Sequence, residues 1–319
     1  MSKVKFVVIH RTDPNNTGDI ASNPLQYFLK PDEYEVTDID TLGQVAYPDD
    51  VPIIVGGGGL LNNEHFGENI ERCLMTPDGA QLENCWDNQW RLVNPKYKQA
   101  HNQFYEQFKE LVTSTLAKVQ RSGVPRFVWG AGHNNQKAQQ KDIMIAGVRY
   151  PKFLREFDLV GIRDVVDEQP YQWVPCASCM HPALRKKYPI KNDIIFYEHK
   201  KQLIKGTEFG SKPVPRFINT GSNVEQTIEL IGSANVVLTN SYHGVYWATL
   251  LGKKVICVSP WASKFYMFKH QPMFLKSMKD FDDDDVASII DQAPQFPLAL
   301  DECINATEGF WNQIKSKVQ

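Results

Sequence analysis

Short apolar runs that alternate with helical patterns are the feature that most constrains this fold. VKFVVIH at residues 4–10 and VPIIV at 51–55 are rich in β-branched residues and are typical of buried strands. From Lys98 to Arg121, apolar residues recur at steps of three and four, which predicts an amphipathic helix. Strands that alternate with helices favour a parallel sheet covered on both faces. The fold class is therefore predicted to be α/β with mainly parallel sheets.

The same alternation continues through the rest of the chain. Further strands are predicted at 126–129, 158–162, 194–200, 236–239 and 254–259. Helices are predicted at 24–30, at 222–234 with Ser222 as N-cap, at 245–252 with Gly252 at the end, and in the tail from Asp301. The acidic run from Asp282 to Asp285 is interpreted as the N-terminus of another helix. A calcium loop is disfavoured because its central glycine is missing.

Composition limits the partners and the compartment. The formal charge of −2 and the pI near 6.5 leave no global basic field, so no nucleic-acid partner is expected. No stretch approaches the ~18 apolar residues of a membrane span, and the N-terminus lacks a cleavage-site pattern. The sequence therefore predicts a cytoplasmic protein without an integral membrane segment.

Cysteine usage predicts reduced thiols. The six cysteines are irregularly spaced, which disfavours a disulfide framework in a chain of 319 residues. Cys176 and Cys179, followed by His181, have a spacing that also occurs in metal and redox sites. A lone pair of this kind is a weak signal, and free cysteines are usually buried apolar residues. We therefore predict no metal site.

Polar and glycine-rich segments follow the predicted strands. The carboxyl ends of parallel strands meet at one edge of a sheet, where α/β proteins bind ligands. Four segments of the first half share this position and are predicted to surround one crevice: Asn16-Thr17-Gly18-Asp19, Gly56 to Gly59, Gly130 to Asn135 and Arg163-Asp164. In the second half, His243 and Gly244 are predicted to lie at a strand-to-helix turn. Backbone N–H groups and the helix dipole favour an anion there.

Five of these motifs, taken in order, carry a resemblance. They are NTGD at 16–19, GGGGLL at 56–61, GAGHN at 130–134, Arg163-Asp164 and NSYHGVYWATLLGKKV at 240–255. This set resembles the polysaccharide pyruvyl transferase family. The resemblance implies a GT-B-like fold, in which two Rossmann-like domains face each other across a cleft. The expected units are residues 1–186 on the acceptor side, 187–297 on the donor side, and a helix at 298–319 that packs back on the body.

The resemblance also implies a reaction. Family members move the pyruvyl group of phosphoenolpyruvate onto two hydroxyls of a sugar, which gives a cyclic ketal and free phosphate. Phosphoenolpyruvate is then a co-substrate, a sugar or glycan precursor of a polysaccharide is the acceptor, and no cofactor is expected. Whether the chain forms a homo-oligomer is left open.

Each candidate residue has a role in that chemistry. His243 is expected to protonate the methylene carbon, and Asp19 or Asp164 to deprotonate the attacking hydroxyl. Arg163 and the turn from Ser241 to Gly244 would hold the phosphate and carboxylate. The full set of expected binding residues is Arg163, Ser241, Tyr242, Gly244, Asn240, Asn16, Gly18, Gly57, Gly58, Arg11, His133 and Asn134.

Structural roles are the alternatives for several of these residues. Asp19 could cap a helix that begins near Ile20, and Asp164 could only hold Arg163 in place. The glycines from Gly56 to Gly59 could serve close packing rather than ligand contact. Many family members have an arginine where this chain has Ser241, and the candidates that could supply the missing cation are Lys253, Lys254 and Lys264.

Two other functions stay open. A GT-B glycosyltransferase with a nucleotide-sugar donor would share the architecture. Such enzymes often have a glutamate-rich motif at the donor site of the C-terminal domain, where this chain has Ser-Tyr-His-Gly at 241–244. A non-catalytic sugar- or phosphate-binding protein would need the pocket without a titrating acid. The acceptor is unassigned, and the aperiodic segment at 72–97 is a candidate for lining its side of the cleft.

Overall fold

The computed structural model describes residues 5–38, 51–61, 124–134, 150, 154–155, 157–166, 170–204, 208–278 and 281–319. In these ranges the chain forms two sheets of parallel strands, flanked by helices. The fold class is therefore mixed α/β with parallel sheets, as the alternation of strands and helices predicts. The helix expected between Lys98 and Arg121 and the segment at 72–97 lie outside the described residues.

The first sheet has six parallel strands in the order β2-β1-β3-β4-β5-β6. Its central strands are buried on both faces, which explains their continuous apolar character. The strands are β1 (Phe6–His10), β2 (Tyr34–Asp38), β3 (Ile53–Gly56), β4 (Arg126–Ala131), β5 (Leu159–Ile162) and β6 (Gln172–Trp173). The predicted strands β1, β3, β4 and β5 are confirmed.

The second sheet has five parallel strands in the order β10-β7-β11-β12-β13. A separate antiparallel pair is formed by β8 and β9. The strands are β7 (Asn192–His199), β8 (Glu208–Phe209), β9 (Lys212–Pro213), β10 (Arg216–Asn219), β11 (Ala234–Thr239), β12 (Lys254–Val258) and β13 (Met273–Leu275). The predictions for β7, β11 and β12 are confirmed.

Both sheets have the same winding. Within each sheet the first strand lies between the second and the third, so the direction of winding reverses beside the first strand. In the first sheet this switch point lies between β1 and β3, and in the second between β7 and β11. Open α/β sheets bind ligands outside the carboxyl ends of the strands at such points.

Five α-helices occur in the described ranges, and short 3-10 turns connect other elements. The helices are α1 (Thr17–Ala21), α2 (Val224–Gly232), α3 (Tyr242–Leu250), α4 (Asp283–Gln292) and α5 (Ala299–Val318). The 3-10 turns are at Leu25–Tyr27, Pro31–Glu33, Ala177–Met180, Pro182–Arg185 and Ser263–Tyr266. Within the described ranges, no helix has both the length and the apolar character needed to cross a membrane.

Three helix predictions are wrong, one in the type of element and two in where the helix begins. The segment 24–30 forms only a 3-10 turn, because the preceding helix is α1 and the Asn23 side chain starts a new turn by accepting from the N–H of Leu25. Asn223 replaces Ser222 as the N-cap of α2, since its side chain accepts from the N–H of Gln226.

The third correction concerns α3, which begins at Tyr242 rather than Val245. Ser241 is its N-cap, so His243 and Gly244 lie in the first turn of the helix and not before it. All nine residues of α3 are buried, and its first turn is therefore fixed by packing on every side. The side chain of His243 consequently has little freedom to move.

The remaining predicted helix ends are confirmed. Asp282 caps α4 through the N–H of Asp285, so the acidic run stabilises a helix N-terminus. Gly252 follows α3 with φ of +65°, a conformation that favours glycine. The long tail helix α5 packs on the first sheet, where the rings of Trp311 and Trp129 stack with centroids 5.8 Å apart.

Candidate active site

The carboxyl-end loops of the two sheets meet directly. Lys200 follows β7 and forms an ion pair of 2.6 Å with Asp13, which follows β1. Asn219 at the end of β10 donates to the side-chain oxygen of Asn16 at 3.2 Å, and Thr17 donates to the carbonyl of Gly221 at 3.2 Å. The two switch points therefore face each other.

Helix α1, which follows β1 of the first sheet, packs against helix α3, which follows β11 of the second sheet. Asn16 is the N-cap of α1 because its side chain accepts from the N–H of Gly18. The interpretation of Asp19 as the cap is therefore wrong, and Asp19 instead accepts from the Asn16 side chain at 2.8 Å. A Cβ on Gly18 would lie only 2.0 Å from Nδ1 of His243. Glycine at position 18 is what lets α1 reach the imidazole.

His243 is held in a mostly closed environment with 7% of its surface exposed. Its Nε2 lies 3.5 Å from Sγ of Cys176, and its ring contacts the ring of Trp247 with centroids 5.0 Å apart. Burial, with the positive charges of Arg163 and Lys264, holds the pKa of His243 well below its usual value. The imidazole is thus neutral in the unliganded protein.

Arg163 and Lys264 bring two positive charges to this region. Arg163 is buried, its guanidinium lies 3.8 Å from the Tyr242 ring centroid, and its Nε has no hydrogen-bond partner among the described residues. Lys264 lies in the 3-10 turn Ser263–Tyr266, with Nζ 4.3 Å from the centre of the Trp261 ring. Burial and the charge of Arg163 lower the pKa of Lys264 to about 7.

Two carboxyl groups have raised pKa values, and burial is the main cause for both. Burial raises the pKa of Asp19 to about 6, although Arg11 and Lys264 oppose the rise. Burial likewise raises the pKa of Asp164 to about 6, against the charge of Arg163. Asp164 accepts from the backbone N–H of His133 at 2.6 Å and from the hydroxyl of Tyr150 at 3.1 Å. Asp164 thus fixes the loop after β4.

The loops after β3 and β4 pack against each other and against α1. A Cβ on Gly57 would lie 2.3 Å from the carbonyl oxygen of Ser22, and Gly57 has φ of +78°. Gly58 has φ of +83° with open space beside it, and its carbonyl accepts from the N–H of Gly132 at 3.0 Å. Close packing against Ser22 therefore explains why position 57 is glycine. At Gly58 no neighbouring atom would block a side chain, and the space beside it is open.

His133 links the first sheet to the second. Its Nδ1 lies 2.8 Å from Oγ of Ser263, the residue before Lys264. His133 is fully buried, whereas the adjacent Asn134 is half-buried and contacts the glycine loop near Gly59. Arg11, exposed at the end of β1, is close enough for its charge to act on Asp19. The structure thus brings the first-half candidates to the same edge as His243.

The residues around the start of α3 have structural partners. Asn240 accepts from the N–H of His199 at 2.8 Å and donates to the carbonyl of Gln202. A Cβ on Gly244 would lie 2.2 Å from Oγ1 of Thr239, so glycine is needed for α3 to approach β11. Ser241 is buried, and its side chain makes no capping hydrogen bond.

Sequence reasoning missed two residues that contact this site. The sequence predicts Cys176 as a buried apolar thiol, with a metal or redox role as the alternative, but its sulfur contacts His243, whereas Cys179 contacts Oγ1 of Thr307 at 3.3 Å. Among the described residues, no three His, Cys, Asp or Glu side chains form a metal-binding group, and the four described cysteines are free. Asn219 carries no sequence signal, since its contact with Asn16 spans 203 positions.

Fold and site together define an α/β protein with two parallel sheets whose carboxyl-end loops enclose a histidine, two cations and a titratable carboxylate. A family model described as polysaccharide pyruvyl transferase matches residues 16–261, which include all these groups except Lys264. The chain belongs to the polysaccharide pyruvyl transferase family.

Comparison with individual proteins adds little detail. No curated protein matches the chain. Among solved structures, the chain is similar to a functionally uncharacterized protein from Klebsiella pneumoniae subsp. pneumoniae NTUH-K2044, with 14% identity and a TM-score of 0.38. That match covers 80% of this chain and 83% of the other.

Proposed function

We propose that this transferase moves the pyruvyl group of phosphoenolpyruvate onto two hydroxyls of a sugar in a polysaccharide or glycan precursor. The observation that carries the proposal is the juxtaposition of His243 with Arg163 and Lys264, neither of which forms an ion pair with a described carboxylate. A donor with a phosphate and a carboxylate requires such cations. The two sheets would belong to GT-B-like domains, 1–186 on the acceptor side and 187–297 on the donor side.

Many family members have an arginine where this chain has Ser241. Lys264 is proposed to supply the positive charge that this arginine would provide. Its charge acts on Asp19, and the charges of Lys264 and Arg163 both act on His243. A bound anion would favour the charged form of Lys264 and would offset the two positive charges that, together with burial, lower the pKa of His243. Donor binding would therefore load a proton onto the imidazole, and that proton is the one transferred to the methylene carbon.

The proton balance of the reaction assigns the remaining roles. His243 gives a proton to C3 of the donor, which becomes a methyl group, and C2 becomes open to attack by a hydroxyl. Asp19 is proposed to take the proton of the first hydroxyl. Phosphate leaves as the C2–O bond breaks, and the second hydroxyl closes the ketal. Of the two hydroxyl protons, one replaces the proton lost by His243 and the other leaves with phosphate.

Asp19 is preferred to Asp164 as the base for a geometric reason. Asp164 is 1% exposed, and its carboxylate already accepts two hydrogen bonds from the protein. Asp19 is half-buried beside Arg11 and Lys264, and its pKa of about 6 allows it to take up and release a proton near neutral pH. Asp164 would then position the His133 loop.

Sugar-dependent release of phosphate from phosphoenolpyruvate tests the proposal. The protein is mixed with a panel of galactosides, glucosides and mannosaminides, and the product is checked by NMR for the new ketal methyl group. We expect turnover with at least one sugar, and a loss of at least about 100-fold in kcat for His243→Gln, because proton transfer contributes that much. His181→Gln is the matched control, since His181 caps the 3-10 turn Pro182–Arg185 and its described contacts are with Ala183 and Tyr27 rather than with His243.

Two outcomes would contradict the proposal. Turnover of a nucleotide sugar without phosphoenolpyruvate would make the protein a glycosyltransferase. Normal ketal formation by His243→Gln would remove His243 from the chemistry, and the proton donor would have to be sought elsewhere in the cleft.

A further inference from the structure

His243 has one nitrogen against a thiol and the other against a glycine. Nε2 lies 3.5 Å from Sγ of Cys176, a fully buried residue on the loop that follows β6. Nδ1 lies beside Gly18, with no hydrogen-bond partner among the described residues. Sulfur thus contacts Nε2, whereas Nδ1 makes no hydrogen bond to the described part of the chain.

The hydrogen bonds around Cys176 indicate which group donates. Trp247 donates its indole N–H to Oγ of Ser178 at 3.1 Å, which leaves the Ser178 hydroxyl free to donate to Sγ at 3.3 Å. Ser22 donates its hydroxyl to the carbonyl of Gly18 at 2.6 Å, so its oxygen can accept from the thiol, which lies 3.8 Å away. With the thiol proton directed to Ser22, the sulfur accepts from Nε2–H of His243.

We propose that Cys176 is a positioning residue that holds His243 in the Nε2–H tautomer and presents Nδ1 to the donor. This inference rests on the proposed function, in which His243 protonates the methylene carbon. The imidazolium would then use Nε2–H for the sulfur and Nδ1–H for the substrate. After proton transfer the ring would return to the same neutral tautomer, so no rearrangement would be needed between turnovers.

A thiol suits this position better than a carboxylate. The charged groups that act on His243 are Arg163 and Lys264, and the aromatic rings of Tyr242 and Trp247 and the α1 backbone at Gly18 enclose it. A carboxylate beside Nε2 would hold the imidazole charged before the donor arrives. A neutral thiol fixes the tautomer and leaves protonation to follow donor binding.

The tautomer of His243 can be determined by NMR without measuring enzyme activity. Protein labelled with 15N-histidine is examined by NMR at pH 7, and the His243 signals among the eight histidines are assigned with His243→Gln. Wild type is expected to carry its proton on Nε2. Cys176→Ser should keep this tautomer, because a hydroxyl also accepts, whereas Cys176→Ala should give a mixture. Cys179→Ala is the matched control, as it removes a buried thiol nearby that contacts Thr307 instead.

Kinetics give a second readout. Cys176→Ala is expected to lower kcat about three- to tenfold, the size of one hydrogen bond, with little change in KM for phosphoenolpyruvate. A proton on Nδ1 in wild type would overturn the inference even if Cys176→Ala failed to fold. So would an unchanged tautomer in Cys176→Ala. If the tautomer changes as expected but no sugar supports phosphate release, the positioning by Cys176 stands and the proposed function fails.

Discussion

At the scale of single residues, the site depends on how closely Gly18 approaches His243. No side chain fits at position 18, because even a Cβ would overlap Nδ1 of the imidazole. Trp247 and Cys176 contact the ring, so it can move away from position 18 only by losing these contacts. Gly18 therefore serves the site by contact and not by backbone flexibility.

Gly18→Ala is predicted to displace the His243 ring while the fold is kept. A displacement of about 1 Å at a reacting group can cost about 100-fold in rate, so kcat for phosphate release should fall by at least that factor. Circular dichroism and Tm report folding alongside the kinetics. Gly309→Ala is the control, because a Cβ at this position in α5 meets no atom within 4 Å.

The control also makes a prediction of its own. Alanine in place of glycine inside a helix should raise the free energy of unfolding by about 1 kcal/mol, with kcat unchanged. Near-wild-type kcat in Gly18→Ala would mean that the imidazole can act from another position, and the close contact would lose its functional meaning.

Sequence reasoning identified several residues of the site but not their contacts. His243, Asp19 and Arg163 were predicted because polar residues after parallel strands converge on one edge. Cys176 could not be assigned to His243 in this way, since 67 positions separate the two residues and a buried thiol has no distinctive pattern. Lys264 was predicted only as one of three lysines that could replace the arginine missing at Ser241.

At the scale of helices and strands, local side-chain chemistry fixed the ends. Asp282 illustrates this in α4, where its side chain accepts from the N–H of Asp285 and the Asp285 side chain accepts in return. Gly252 ends α3 by a positive φ. Strand predictions succeeded because buried parallel strands are continuous apolar runs. Short elements such as β6 and β13 lacked that signal.

Asp282→Ala is predicted to lower the free energy of unfolding by about 1 kcal/mol, because α4 loses its N-cap. Asp284→Ala should cost less, since exposed Asp284 offers the helix dipole a charge but makes no capping hydrogen bond. Urea denaturation of both variants measures the difference. Equal losses would show that charge alone, and not the cap, stabilises the α4 N-terminus. Neither variant should change kcat.

At the scale of the whole molecule, two sheets with the same winding place their switch points against each other. The helix α5 contributes to both halves, because Phe310 packs on the first sheet and Cys303 lies in the core that contains α3. The arrangement explains why a site assembled from loops of both sheets has fixed distances. The domain boundaries and the cytoplasmic location stay predictions.

We predict that an anionic donor binds between the two sheets and that its charge protonates the groups that hold it. In the unliganded protein, His243 is neutral and Lys264 has a pKa of about 7, so both should take up protons when phosphoenolpyruvate binds at pH 8. At that pH a phosphate group is fully ionised and takes up none itself. Affinity should therefore weaken as pH rises.

Isothermal titration calorimetry of phosphoenolpyruvate binding at pH 8, in buffers of different ionisation enthalpy, measures this uptake directly and needs no acceptor sugar. We predict an uptake of between one and two protons per donor bound. Lys264→Arg should bind with less uptake, because arginine is always charged, and His243→Gln should lose the histidine share. Binding without proton uptake, or with the same uptake in His243→Gln, would contradict the account.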